Sequence, residues 1–141
     1  MRTKLSVVGG AVLGVLAVSA APAFAHHAFA AEFDSNKPVK FQGTITKMLW
    51  VNPHAWIYVD VKKPDGKVEE WMIETGTPNT LLRRGFTKES LKNGTLITVD
   101  GYQSKDGSLR ANGRDLTLPN GQTLFVGSSG TGAPGDEKSK K

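Results

Sequence analysis

The chain of 141 residues contains no cysteine. That excludes a disulfide framework, a thiolate metal site, a cysteine nucleophile and a lipid-anchored cysteine. Histidine is scarce, with three residues in all, and aromatic residues make up only 8%. A long apolar run is missing too: a membrane helix needs about 20 apolar residues, and the stretch from Leu5 to Val18 is shorter and rich in Gly and Ala. The catalytic templates His-Glu-x-x-His and Gly-x-Ser-x-Gly are absent, as are a phosphate loop and a dinucleotide fingerprint. No Asp and exposed Ser stand in a local pattern with a histidine, so a serine triad has no support. With 38% hydrophobic and 22% charged residues and 16 glycines, the composition is that of one globular domain, not a collagen, a coiled coil or a disordered chain. No internal repeat is present.

What is there begins with an address. Arg2 and Lys4, the apolar stretch, and Ser19 to Ala25 follow the charged, apolar and small-residue order of a secretory signal. Arg2-Thr3-Lys4 has no arginine pair, so general secretion is expected over the twin-arginine route. The mature protein is then periplasmic or secreted, with no membrane anchor. Removing residues 1–25 leaves 16 basic against 13 acidic residues, a smaller excess than the net charge of +5 of the whole chain. That excess, with export, argues against nucleic acid, and Arg83, Arg84, Lys88 and Lys92 read as a helix end and its solvated flank.

Ala23-Phe24-Ala25 fits the small-x-small rule and leaves His26-His27 as the new terminus. A free amine and the ring of His26 then chelate one ion. A cut after Ala23 instead puts His26 third, where amine, two backbone amides and imidazole form a square-planar set suited to Cu(II) or Ni(II).

The mature chain divides into a lead-in over 26–40, a β domain over 41–126 and a disordered tail over 127–141, rich in Gly, Ser, Pro and charge. Alternation predicts strands at Phe41–Leu49, Ala55–Val61 and Val68–Thr75, with Gly43, Ile45, Leu49, Ile57, Val59, Trp71 and Ile73 facing the core. Thr77 to Gly85 carries a capping Thr, a first-turn Pro, basic residues in the last turn and a terminating Gly, which predicts a short helix. One further helical turn is expected at Thr87–Lys92. Strands follow at Leu96–Tyr102, Arg110–Leu118 with a bulge at Gly113, and Gln122–Val126 after an Asn120-Gly121 hairpin. Three strands, a helix and two or three strands give an OB-like antiparallel barrel of five or six strands, or an open antiparallel sheet covered by the helix.

The alternation sets His54, Trp56 and Tyr58 on the face opposite Ala55, Ile57 and Val59. By the same parity Glu70, Met72 and Glu74 belong to that face on strand three, and Thr46 and Met48 on strand one. His26, His27 and His54, with Met48, Met72 and Glu74 as auxiliary ligands, form the candidate metal set. Imidazole and amine favour Cu(II), and a thioether helps hold Cu(I). The bland alternative makes His54 a turn residue, the methionines core filler and the terminus mobile. Glu32 and Asp34 read as solvated surface, as do Glu69 and Glu70 as strand charges. A second reading gives Trp50, Trp56 and Tyr58 to a partner protein or a glycan, with no metal; structural cover by these rings competes with it. A third, a copper oxidoreductase, needs an open coordination position and turnover, and binding ranks above it.

His26-His27 through Asp34, Gly43-Thr44, Trp50 through Trp56, Gly76 through Asn79, Leu82 through Gly85 and Val99 through Tyr102 together resemble a bacterial family of small exported proteins classed as a domain of unknown function. The resemblance spans residues 26 to 126 and implies export and a compact β fold; it supplies no activity and no catalytic residue to carry over. More loosely, the terminal His and a second His are similar to periplasmic copper carriers and lytic polysaccharide monooxygenases whose mature chains begin with His. The motifs around those histidines are missing here.

Overall fold

The computed structural model describes residues 29–127 together with 133 and 134. Residues 29–32 are helical and lead into β1 (Phe33–Leu49). There follow β2 (Trp56–Lys62), β3 (Val68–Glu74), helix α1 (Pro78–Arg83), β4 (Leu96–Ser104), β5 (Arg110–Thr117) and β6 (Thr123–Phe125). The protein is mainly β, as the alternation predicts.

β1 is long because it serves two neighbours. Pro38–Thr44 pair with β4, and Thr44–Leu49 pair with β2. Gly43 lies where the strand passes from one to the other; a Cβ there would meet the Asp60 carbonyl oxygen at 2.8 Å. The expected lead-in therefore belongs partly to the sheet. Its turn chemistry appears as an irregularity between Phe33 and Pro38, where the Asn36 amide donates to Asp34 Oδ1 at 2.9 Å.

The strands run β3-β2-β1-β4-β5-β6, and a parallel pairing of Met72–Glu74 with Arg110–Asn112 joins β3 to β5. That pairing closes β1, β2, β3, β5 and β4 into an OB-like barrel, so the open sheet is ruled out and the ladder is not antiparallel throughout. β5 divides one edge between two partners, giving 110–112 to β3 and 115–117 to β6.

The interior holds Ile45, Ala55, Ile57, Val59, Ile73, Ile97, Val99, Ala111 and Leu116, all at most 1% exposed. Leu81 of α1 joins this core with Phe86 and Leu91. α1 starts where the Thr77 hydroxyl accepts the Thr80 amide and ends before Gly85 at φ +84°. Thr87–Ser90 is a hydrogen-bonded turn and not the expected helical turn, because the Thr87 amide donates to the Ser90 hydroxyl at 2.9 Å.

Two close approaches fix the curvature. A Cβ on Gly113 would meet Ile73 Cγ2 at 2.7 Å, and one on Gly101 would run into the carbonyl oxygen of Asn112. The bulge expected at Gly113 falls beside it: Gly101 opposes Gly113 while Asp100 opposes Asp115, leaving Arg114 as the extra residue.

Candidate functional site

His54 ends a loop that follows β1 and contains the cis peptide Asn52–Pro53. The next residue is held firmly. The Ala55 amide donates to the Gly76 carbonyl at 3.1 Å, and the Ala55 carbonyl accepts both the amide and the hydroxyl of Thr75. These bonds extend the β2–β3 ladder by one pair past Trp56↔Glu74. His54 consequently lies two residues before Trp56 on the outer face, diagonal to Glu74, a separation a glutamate side chain spans. His54 Nδ1 meets Glu74 Oε1 at 2.7 Å.

Glu74 is 7% exposed, so this ion pair is shielded from water on its carboxylate side. The hydrogen bond to Glu74 raises the His54 pKa above the ordinary 6.5; burial opposes that, and the charges of Glu74 and Glu32 add to the rise. With Nδ1–H donating to Glu74, the neutral ring carries its lone pair on Nε2. A carboxylate on one ring nitrogen is the usual arrangement that orients a metal-binding imidazole. Glu74 thus holds the His54 ring through Oε1.

Glu74 belongs to a row of cross-strand partners on the outer face: Tyr102 opposes Asn112, Asn112 opposes Glu74, and Glu74 opposes Trp56. At the far end of this row the Phe29 ring meets Tyr102 edge-on, with centroids 5.6 Å apart, and stacks on Phe33 at 5.9 Å. Ala133 packs against the same cluster. The segment 29–32 is tied down by polar contacts as well. The Lys105 amide donates to the Glu32 carbonyl at 2.8 Å, Lys105 Nζ donates to the Ala30 carbonyl, and Arg110 stands 3.6 Å from the Glu32 carboxylate.

The expected set is only partly assembled. His26 and His27 lie outside the described residues. His54, Trp56, Tyr58, Met72 and Glu74 share the outer face as the alternation predicts, since Tyr58 opposes Met72 and Trp56 opposes Glu74. Met48 does not join them. The register of β1 slips between Ile45 and Lys47, so Lys47 opposes Tyr58 on the outer face while Met48 opposes Ile57 and packs against the core. The same slip moves Leu49 from the expected core side to Trp56 on the outer face, because one unpaired residue inverts every following side chain. Trp50 also leaves the expected aromatic face and packs against the core.

Tyr102, Asn112 and Arg110 were outside the sequence-based set; their part rests on the β3–β5 and β4–β5 pairings, which no local pattern announces. Glu32 is exposed, as read, yet its charge reaches His54. Among the described residues no three His, Asp or Glu side chains are grouped to hold a metal ion, and no helix is long and apolar enough to cross a membrane.

The model of a family of unknown function, DUF6152, matches residues 13–113, from within the apolar N-terminal stretch to the middle of β5. No curated protein matches the chain.

Proposed function

We propose, for a chain that belongs to the family of unknown function DUF6152, that it is an exported protein which binds copper between its mature N-terminus and His54. The observation that carries this reading is the row Tyr102–Asn112–Glu74, with Phe29 anchored at one end and the His54–Glu74 pair at the other. Neighbouring strands lie about 5 Å apart, so two strand steps separate Tyr102 from Glu74 by about 10 Å. Cleavage after Ala25 leaves Ala28, His27 and His26 ahead of Phe29, three residues that reach about 10 Å when extended. That reach matches the row, and the charge of Glu32, three residues after Phe29, already acts on His54, which supports a terminus on the His54 side of the barrel.

In this site the terminal amine and the His26 ring chelate the ion, and His54 adds a third nitrogen through Nε2. Glu74 holds the His54 ring, and His27 is a further imidazole in reach. Such a nitrogen set suits Cu(II), and Met72, on the same face two residues from Glu74, offers a thioether for Cu(I). The role is binding; a copper oxidoreductase would need turnover by the loaded protein.

The test is electron paramagnetic resonance of the purified, cleaved protein loaded with one equivalent of Cu(II), beside His54→Ala. Loss of one imidazole nitrogen from the spectrum, with affinity at least about tenfold lower, supports the site. An unchanged spectrum and affinity would leave His54 outside it.

The register favours one second reading, since Leu49, Trp56, Tyr58 and Met72 form an apolar strip on the outer face of β1–β3. Such a strip suits the face of a glycan ring or a partner protein's apolar side chains, without metal. Trp56→Ala should then abolish glycan retention on an affinity gel while the circular dichroism spectrum stays the same; unaltered retention would assign Trp56 to cover alone.

A further inference from the structure

The slip in β1 that removes Met48 from the outer face places it in a different cleft. Met48 and Leu91 line a hollow of about 470 Å³ bordered by Lys47, Lys88, Lys92 and Glu89. Leu91 is buried in the main core and Met48, partly exposed, packs against that core, so Met48 is the apolar surface the hollow offers. The lysines lie on two segments, β1 and the turn region before β4, brought together because the Gly94 amide donates to the Ile45 carbonyl at 2.7 Å and the Ile45 amide to the Thr95 carbonyl at 2.9 Å. Among the described residues none of the three lysines takes part in an ion pair. Lys47 Nζ lies 5.4 Å from the centre of the Tyr58 ring. Glu89 supplies the single acidic side chain among the residues that line the hollow.

We infer that this cleft binds a small amphiphilic anion, with its apolar body on Met48 and the lysine stems and its anionic group between Lys88 and Lys92. Small-molecule sites combine a mostly apolar lining with a few converging polar groups, and volumes of about 300–1,000 Å³ are usual. Lysine stems extend the apolar wall while their ammonium groups stay at the mouth. Like charges around one concave surface repel one another, and an anion relieves that repulsion. Carboxylate, sulfonate and phosphate heads all satisfy this chemistry, whereas a cation of the same shape does not. The inference is independent of copper.

Octanoate is the probe, titrated into the ¹⁵N-labelled cleaved protein at low salt, with octylammonium as the charge-reversed control. Saturable amide shifts centred on Lys47, Met48, Leu91 and Lys92 are expected for octanoate, with none for octylammonium. Affinity should fall about tenfold or more in Lys88→Glu/Lys92→Glu, the loss of one charged contact being of that order. It should rise in Glu89→Gln, a substitution on an exposed turn that leaves the core untouched and serves if the double variant misfolds. The inference is overturned by equal binding of octylammonium, by shifts centred on Trp56 and Tyr58, by no saturable shift at all, or by an affinity that ignores Glu89→Gln.

Discussion

Replacing Glu74 by Gln keeps a hydrogen-bond acceptor beside His54 and removes the charge. The His54–Glu74 contact is 2.7 Å long, with the His54 side chain 27% exposed and that of Glu74 10%. A charge-assisted hydrogen bond contributes about 1.5–3 kcal/mol when well shielded, and the open side of His54 reduces this to about 1–2 kcal/mol. The sign follows from the direction of the shift. The His54 pKa is raised in the folded protein above the ordinary 6.5. Its stabilisation is therefore fully present below pH 6.5 and disappears as the pH rises through the folded value. Urea unfolding of both proteins at about pH 6 and about pH 8.5, read by tryptophan fluorescence, should show the variant less stable at the lower pH, with the gap narrowing at the higher. Imidazole titration by NMR should show the His54 pKa falling in the variant, because a neutral acceptor favours the charged ring less than a carboxylate does, while burial, which lowers the pKa, remains. A stability gap that is constant with pH, or a His54 pKa unmoved by Glu74→Gln, would refute the reasoning.

Other expectations follow from the packing. Thr46, the unpaired residue of the β1 slip, has a buried hydroxyl with no hydrogen-bond partner, so Thr46→Val should stabilise the fold by about 1 kcal/mol, read as a higher urea midpoint at unchanged slope. Gly101→Ala drives a methyl group into the Asn112 backbone and within 3.2 Å of Gly113 Cα; a loss of about 3 kcal/mol, the upper end of overpacking costs, is expected in the same assay. Phe29→Ala removes the ring between Phe33 and Tyr102. It should accelerate amide exchange over residues 30–36, leave the barrel protected, and weaken copper binding about tenfold by loosening the anchored terminus.

The local elements were legible because each is written in a few adjacent residues. Thr77-Pro78 and Gly85 mark α1 at its ends, Asn120-Gly121 marks the last hairpin, and the alternation of β2 and β3 places His54, Trp56, Tyr58, Met72 and Glu74 on one face. What escaped depends on contacts between distant segments. The slip at Thr46 has no signature in Ile45-Thr46-Lys47, yet it sends Met48 inward and Leu49 outward. Asp34, Asn36 and Pro38 look like loop residues, and they enter β1 because β4 runs alongside them. The closure of the barrel rests on three residues of β3 paired in parallel with three of β5. That same pairing creates the row from Tyr102 to Glu74 and brings the anchored N-terminal segment toward His54. A histidine beside a carboxylate was foreseeable; the carboxylate's role as the group that holds the ring was not, since His54 and Glu74 become diagonal neighbours only through the extra Ala55–Thr75 pair.

Titration of the cleaved protein with Cu(II), beside a version carrying one additional alanine before His26, tests the copper site most directly. The extra residue displaces the terminal amine from the His26 ring and leaves the barrel, His54 and Glu74 as they are. One-to-one binding that weakens at least about a hundredfold on extension, about 2.7 kcal/mol, is the expected result. Binding of equal strength in the two proteins would contradict a site built on the mature N-terminus.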